Sequence, residues 1–234
     1  PLRAASDVDR SRAIVQSDIN RLLAQPNLSV RQRLNMLRYK DSRDGRDGLE
    51  RLAELIPAPD EIEPAVDIDA GGYMFWSNLK QQMQGALMVF QSGLGSAADL
   101  SLSGFDSHDE HDPISDALFA HLADALNFFW DEAEKAGLAD RILLVVGSDF
   151  GRTNHYNDAN GKDHWPVGSY MIMERGATWG DRVVGLSDEL HFAQPINPAT
   201  LKADRSGVIP TPAHVHQSIR AYLGLTDFAE ERGM

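Results

Sequence analysis

The most constraining feature of this 234-residue chain is a short run, Ile142-Leu143-Leu144-Val145-Val146-Gly147, that is apolar at every position and is followed two residues on by Asp149. A strand that alternates apolar and polar residues has one wet face; one that does not alternate predicts cover on both faces. Such cover is the habit of a parallel sheet flanked by helices. In open α/β sheets ligands bind outside the carboxyl ends of the strands. Asp149 stands at that end, where a carboxylate is expensive to bury unless paired or bound to a cation.

A second run obeys the same rule. Asp99-Leu100-Ser101-Leu102-Ser103 alternates like a strand, ends at Gly104, and delivers Asp106, His108 and His111 within six positions. A carboxylate and two imidazoles suit oxygen and nitrogen ligation of zinc or a similar ion. The competing reading is an acidic helix start, with Asp106, Asp109 and Asp112 complementing the helix dipole and the histidines solvated. A third group, Asp163-His164, lies in the polar loop Gly161-Lys162-Asp163-His164-Trp165-Pro166 and can fold back over the strand ends. Three acid-histidine groups after successive elements weigh toward a metal centre. Arg152 is placed to hold an anionic substrate through its bidentate fork, or simply to neutralise Asp149. His155, Lys162, His214 and His216 carry weaker signals, and Ser148 lacks the Gly-x-Ser-x-Gly surroundings of a nucleophile elbow.

Around these motifs the pattern predicts helices over Val8–Leu23, Val30–Tyr39, Leu49–Ile56 and Phe75–Phe90, and a long one opened by Asp112-Pro113 and ended by Gly137. Tyr170–Met173 and Arg182–Leu186 read as strands, and Thr211-Pro212 starts a last helix that Gly224 stops. The stretch Asp41–Gly48 reads as an exposed loop; it lacks the closing glutamate of a helix-loop-helix calcium site. Pro57 to Pro64 is an acidic, proline-punctuated connector. The chain therefore divides into a helical segment with its connector, 1–64, and an α/β metal-binding core, 65–234.

Composition narrows the function further. Hydrophobic residues make up 42%, enough for a substantial core, and the formal charge of −13 predicts repulsion of nucleic acid and anionic membranes. With no cysteine, disulfides, thiolate catalysis and zinc-thiolate sites are all excluded. No run reaches the roughly 18 apolar residues of a membrane span. The chain opens at Pro1 rather than methionine, so a processed, truncated or split product is expected.

Gly104-Phe105-Asp106-Ser107-His108, Gly147-Ser148-Asp149-Phe150-Gly151-Arg152-Thr153, Gly161–Pro166 and the stretch from Gly180 to Asp188 resemble, in that order, the domain-of-unknown-function 1501 family. The similarity runs from Ala98 to about Leu225 and includes Thr211-Pro212-Ala213-His214. That family is placed in the alkaline phosphatase and sulfatase superfamily. The resemblance implies an α/β fold with a mostly parallel sheet flanked by helices, lacking here its N-terminal strand segment. It implies metal ligands at Asp106, His108, Asp149, Asp163 and His164; His111 is added on spacing alone. It also implies export, hence a periplasmic or extracellular location, while composition leaves the cytoplasm open.

Where the superfamily has an Asp-His pair after the later strand, this chain has Asp149-Phe150, and the Gly- and Asp-rich segment bearing the nucleophile is absent from it. Two readings stand. In one, the chain supplies most ligands of a divalent ion, zinc first and calcium, magnesium or manganese next, for hydrolysis of a small phosphate or sulfate ester. The missing N-terminal segment would then come from upstream or from another polypeptide. In the other, an exported, non-catalytic α/β protein for binding or assembly retains a structural cation.

Overall fold

A computed structural model of the chain describes residues 5–26 and 28–225. In order, the elements are helices α1 (Ala5–Leu23) and α2 (Val30–Leu55), strands β1 (Val66–Ala70) and β2 (Tyr73–Ser77), and helices α3 (Leu79–Ser92) and α4 (His111–Lys135). Strands β3 (Leu143–Gly147), β4 (Gly151–Arg152), β5 (His164–Trp165) and β6 (Tyr170–Glu174) and helix α5 (Pro212–Tyr222) complete the series. The class is mixed α/β. No helix of the described residues is long and apolar enough to cross a membrane.

The chain forms two compact units. The first comprises residues up to Asp67, Trp76–Leu102 and Ala123–Leu138; the second takes Ile68–Phe75, Ser103–Leu122 and everything from Ala139. In the first, α2 packs on both α1 and α3. Ser29 caps α2 with a full capping box, its hydroxyl accepting from the Gln32 amide while the Gln32 side chain accepts from the Ser29 amide.

The expected loop at Asp41–Gly48 is instead the middle of α2. Two glycines cost a helix about 1 kcal/mol each. Packing outweighs that: a Cβ at Gly48 would run into the Leu94 side chain, so the glycine admits a close neighbour. Nearby, Arg51 donates to the Ser92 carbonyl at 2.9 Å, which ties α2 to the end of α3.

Two further expectations fail for identifiable reasons. Phe75–Phe90 is not one helix, because Gly71 and Gly72, both at positive φ (68° and 100°), close a two-residue turn that draws Tyr73–Ser77 into β2. Asp99–Ser103 is not a strand. The Gln82 carboxamide occupies both backbone groups of Ser101, accepting from its amide at 2.9 Å and donating to its carbonyl at 3.0 Å, so a side chain stands where a strand would pair.

The second unit is cored by Ala70, Ile114 and Leu118, with Ile68, Phe75, Phe105 and Ala117 packed around them. Gly104, at φ 109°, lies against Phe75 and Leu118, where a Cβ has no room. β3 forms as expected but pairs antiparallel with β6, from Leu143 opposite Glu174 to Gly147 opposite Tyr170. The mostly parallel sheet is not found among the described residues, whose sheets have two strands each. An apolar run specifies what its faces need, not the direction of its neighbour. Val145 and Met171 remain 38% and 46% exposed. Arg182–Leu186 is irregular, with Val183 almost fully exposed.

Candidate metal centre

The residues that the sequence marked as chemical are gathered by a loop rather than by a sheet. β4 and β5 pair antiparallel with Arg152 opposite His164, and the segment between them closes on itself. Thr153 donates to the Asp163 carbonyl at 2.9 Å and Asn157 to the Gly161 carbonyl at 2.9 Å. This loop is then sewn to the turn before α4. Glu110 donates to the Ala159 carbonyl, His111 to Asn160 and Lys162 to Ser107, all between 2.9 and 3.1 Å. Gly161 is buried under this seam, and a Cβ there would overlap the His108 carbonyl.

The result is a triangle. His108 Nε2 lies 3.1 Å from His164 Nε2 and 3.1 Å from Asp106 Oδ1, and His164 Nε2 lies 3.0 Å from that same oxygen. Among the described residues these three groups lie close enough together to hold one cation. Asp106, His108 and His164 would together hold a zinc ion, whose bonds to nitrogen are ~2.0–2.1 Å, and would leave coordination positions open to other ligands. All three are exposed, so the open positions meet solvent.

Behind the triangle each corner has a support. His108 Nδ1 lies 2.8 Å from Asp163 Oδ1, the carboxylate-histidine arrangement in which an Nδ1–H would donate to the carboxylate and the Nε2 lone pair would face the centre. His164 stacks on Phe150, with ring centroids 3.9 Å apart. Arg152, whose side chain is only 15% exposed, donates from Nη2 to Asp106 Oδ1 at 2.6 Å and to the Phe105 carbonyl at 2.9 Å, and from Nη1 to the Lys162 carbonyl at 3.0 Å.

The Arg152 bond, and then the His164 bond, hold the Asp106 carboxyl at about 2, below its usual range. Asp163 is lowered too, first by His108 and then by Asn157. Both carboxylates are therefore ionised at neutral pH.

Asp106, His108, His164 and Asp163 thus come together, and Arg152 joins them as a brace whose fork is spent on protein oxygens. His111 and Asp149 stand outside the triangle. His111 Nδ1 lies 2.6 Å from the hydroxyl of buried Ser107, with Ser115 at 3.3 Å, and burial pushes its pKa down. Asp149 is exposed and accepts from the hydroxyl of its neighbour Ser148 at 3.4 Å, so the cost of burying a strand-end carboxylate does not arise. His214 caps α5, its Nδ1 accepting from the Thr211 amide.

Sequence reasoning missed Asn157, Phe150 and Thr153. An asparagine among other loop polars has no periodic or motif signal. The aromatic stack has one in principle, since an aromatic two residues before Arg152 shares its strand face.

Residues 27–212 match the model of the family described as "Protein of unknown function (DUF1501)", which is more than half of the chain, so the chain belongs to that family. No curated protein and no solved structure matches it.

Proposed function

Proceeding from that membership, we propose that the chain carries the divalent-metal centre of a hydrolase-like protein acting on phosphate or sulfate esters, in the manner of the alkaline phosphatase and sulfatase superfamily. The observation that carries this reading is the Asp106–His108–His164 triangle with Asp163 behind His108. Zinc is the first choice because two of three corners are imidazoles; calcium, magnesium and manganese favour more oxygen.

An ion held there would supply Lewis acidity to an ester oxygen. The chain's own residues do the rest. Asp163 holds the His108 tautomer, and Arg152 keeps Asp106 ionised and aimed. Two carboxylates against one guanidinium sum to −1 before the imidazoles are counted; a divalent ion would add two positive charges, the sign an anionic ester needs. Lys162, whose ammonium lies 4.7 Å from the centre of the Tyr156 ring, adds positive charge on the same loop. The nucleophile lies outside this group of residues.

Export to the periplasm or cell exterior belongs to the same proposal, as does a larger parallel sheet. β3, apolar throughout with Val145 exposed, is what further strands would cover. One observation favours the non-catalytic reading. Arg152 has no fork left for a substrate, so the centre also suits a structural cation that pins the loop.

The test is metal analysis of the purified protein beside Asp106→Ala and His164→Ala, with assays on aryl phosphate and aryl sulfate. Bound metal lost in both variants is the expected result. Unchanged metal content in both would remove the site, and metal without ester hydrolysis would leave the structural cation.

A further inference from the structure

Asn157 makes contacts on both sides of the seam that builds the centre. Its Nδ2 donates to the His108 carbonyl at 2.8 Å and to Asp163 Oδ1 at 3.3 Å. Its Oδ1 accepts from the Ala159 amide at 3.0 Å and the Gly161 amide at 2.9 Å. A carboxamide has two N–H donors and two lone pairs, so the hydrogen-bonding capacity of this side chain is filled. The oxygen it reaches on Asp163 is the one that accepts from His108 Nδ1.

We propose that Asn157 is a positioning residue of the metal centre: it aims Asp163 at His108 Nδ1, so that His108 Nε2 presents a lone pair to the ion. The inference rests on the metal reading above. Asp163 needs the help. Its side chain is 55% exposed, and water competes for a carboxylate free to rotate. With its second donor anchored at the carbonyl of His108 itself, the carboxamide makes Asp163 and His108 move as one body. Partners that orient a metal-ligating histidine change metal affinity by about 10–100-fold when removed.

Asn157→Asp separates this role from loop shape. It keeps an acceptor for Ala159 and Gly161 but loses both N–H donors and sets a like charge against Asp163. Zinc titration of the full chain should show about 10–100-fold weaker binding in Asn157→Asp. Asn157→Asp should add no further loss in an Asp163→Ala background, since the two act in series. In the metal-free protein, ¹⁵N spectra should show His108 as the Nδ1–H tautomer, and a mixture in Asn157→Asp.

Equal zinc affinity in wild type and Asn157→Asp overturns the inference, and so do losses that multiply in the double variant. Should wild type bind no zinc, the metal reading falls. The tautomer spectra then decide alone: a mixture in Asn157→Asp sustains the positioning role, and an unchanged tautomer rejects it.

Discussion

Replacing Gly161 by alanine tests how the loop and the turn are joined. A Cβ there would overlap the carbonyl of His108 and crowd the Asp109 amide. Those are backbone atoms, so no rotamer relieves the contact and the two segments must separate. Among the hydrogen bonds that cross the seam are Glu110 to Ala159, His111 to Asn160, Lys162 to Ser107, and Asn157 Nδ2 to the His108 carbonyl.

Each is worth a net ~0.5–1.5 kcal/mol. Forcing a group into a filled space costs about 1–3 kcal/mol more. Loss of two bonds together with the overpacking gives about 2–6 kcal/mol, a large part of an ordinary domain's stability. Urea unfolding followed by fluorescence reads this when Trp76, Trp130 and Trp179 are replaced by phenylalanine in both proteins compared, leaving Trp165, whose indole donates to the His191 carbonyl at 2.7 Å one residue from His164.

With a slope of ~2 kcal/mol per molar, the midpoint should fall by about 1–3 M. Zinc affinity should fall with it. A variant that unfolds within about 0.3 M of wild type would show that the segments lie farther apart than the geometry has them.

Gly85 in α3 is the contrasting case. A Cβ there meets nothing within 4 Å, so Gly85→Ala should stabilise by about 0.5–1 kcal/mol in the same assay, and destabilisation would contradict the packing described. Asp106, depressed to about 2 from 3.8, contributes stability that is fully present above 3.8 and is lost as the pH falls through about 2. Arg152→Met should raise that carboxyl and start the acid loss at higher pH, read by ¹³C titration of Asp106; a wild-type titration near 3.8 would refute the brace. His111→Ala should leave the metal content intact, because His111 lies outside the triangle. Ser107 would be left with a single 3.5 Å contact to the Phe105 carbonyl, at a cost of ~1–3 kcal/mol in thermal unfolding. Lost metal would return His111 to the ligand set.

What was legible in the sequence is what a period or a cap encodes. α1, α4, β3, β6 and α5 fall where apolar spacing and Thr211-Pro212 predict them. The three corners of the centre were also readable, as acids and histidines near glycine turns. Their geometry was not, since His108 and His164 are 56 positions apart and meet through backbone bonds between two loops. The pattern misled where a side chain substituted for a strand, as Gln82 does at Ser101, or where packing carried glycines through a helix, as at Gly48. Direction of pairing is a third such case. Leu143–Gly147 reads the same whether its neighbour runs parallel or, as β6 does, antiparallel.

The assignment of Arg152 changes most, and with it the meaning of the centre. An exposed arginine beside Asp149 would have been a substrate clamp. The observed one is mostly covered and joins the Phe105 carbonyl, the Lys162 carbonyl and Asp106 in a single fork. It therefore settles the turn, the loop and the Asp106 carboxylate in one position before any cation arrives. The same charge would oppose a cation held there, since Arg152 and the triangle share one oxygen, Asp106 Oδ1. Asp163 offsets the opposition from behind His108 without entering the triangle. A cation site built this way would be preorganised before an ion binds, and one divalent ion would shift its charge by two units. Removing Asp163 or Arg152 should then act in opposite directions on the charge and in the same direction on the geometry, which is why affinity and tautomer have to be measured together.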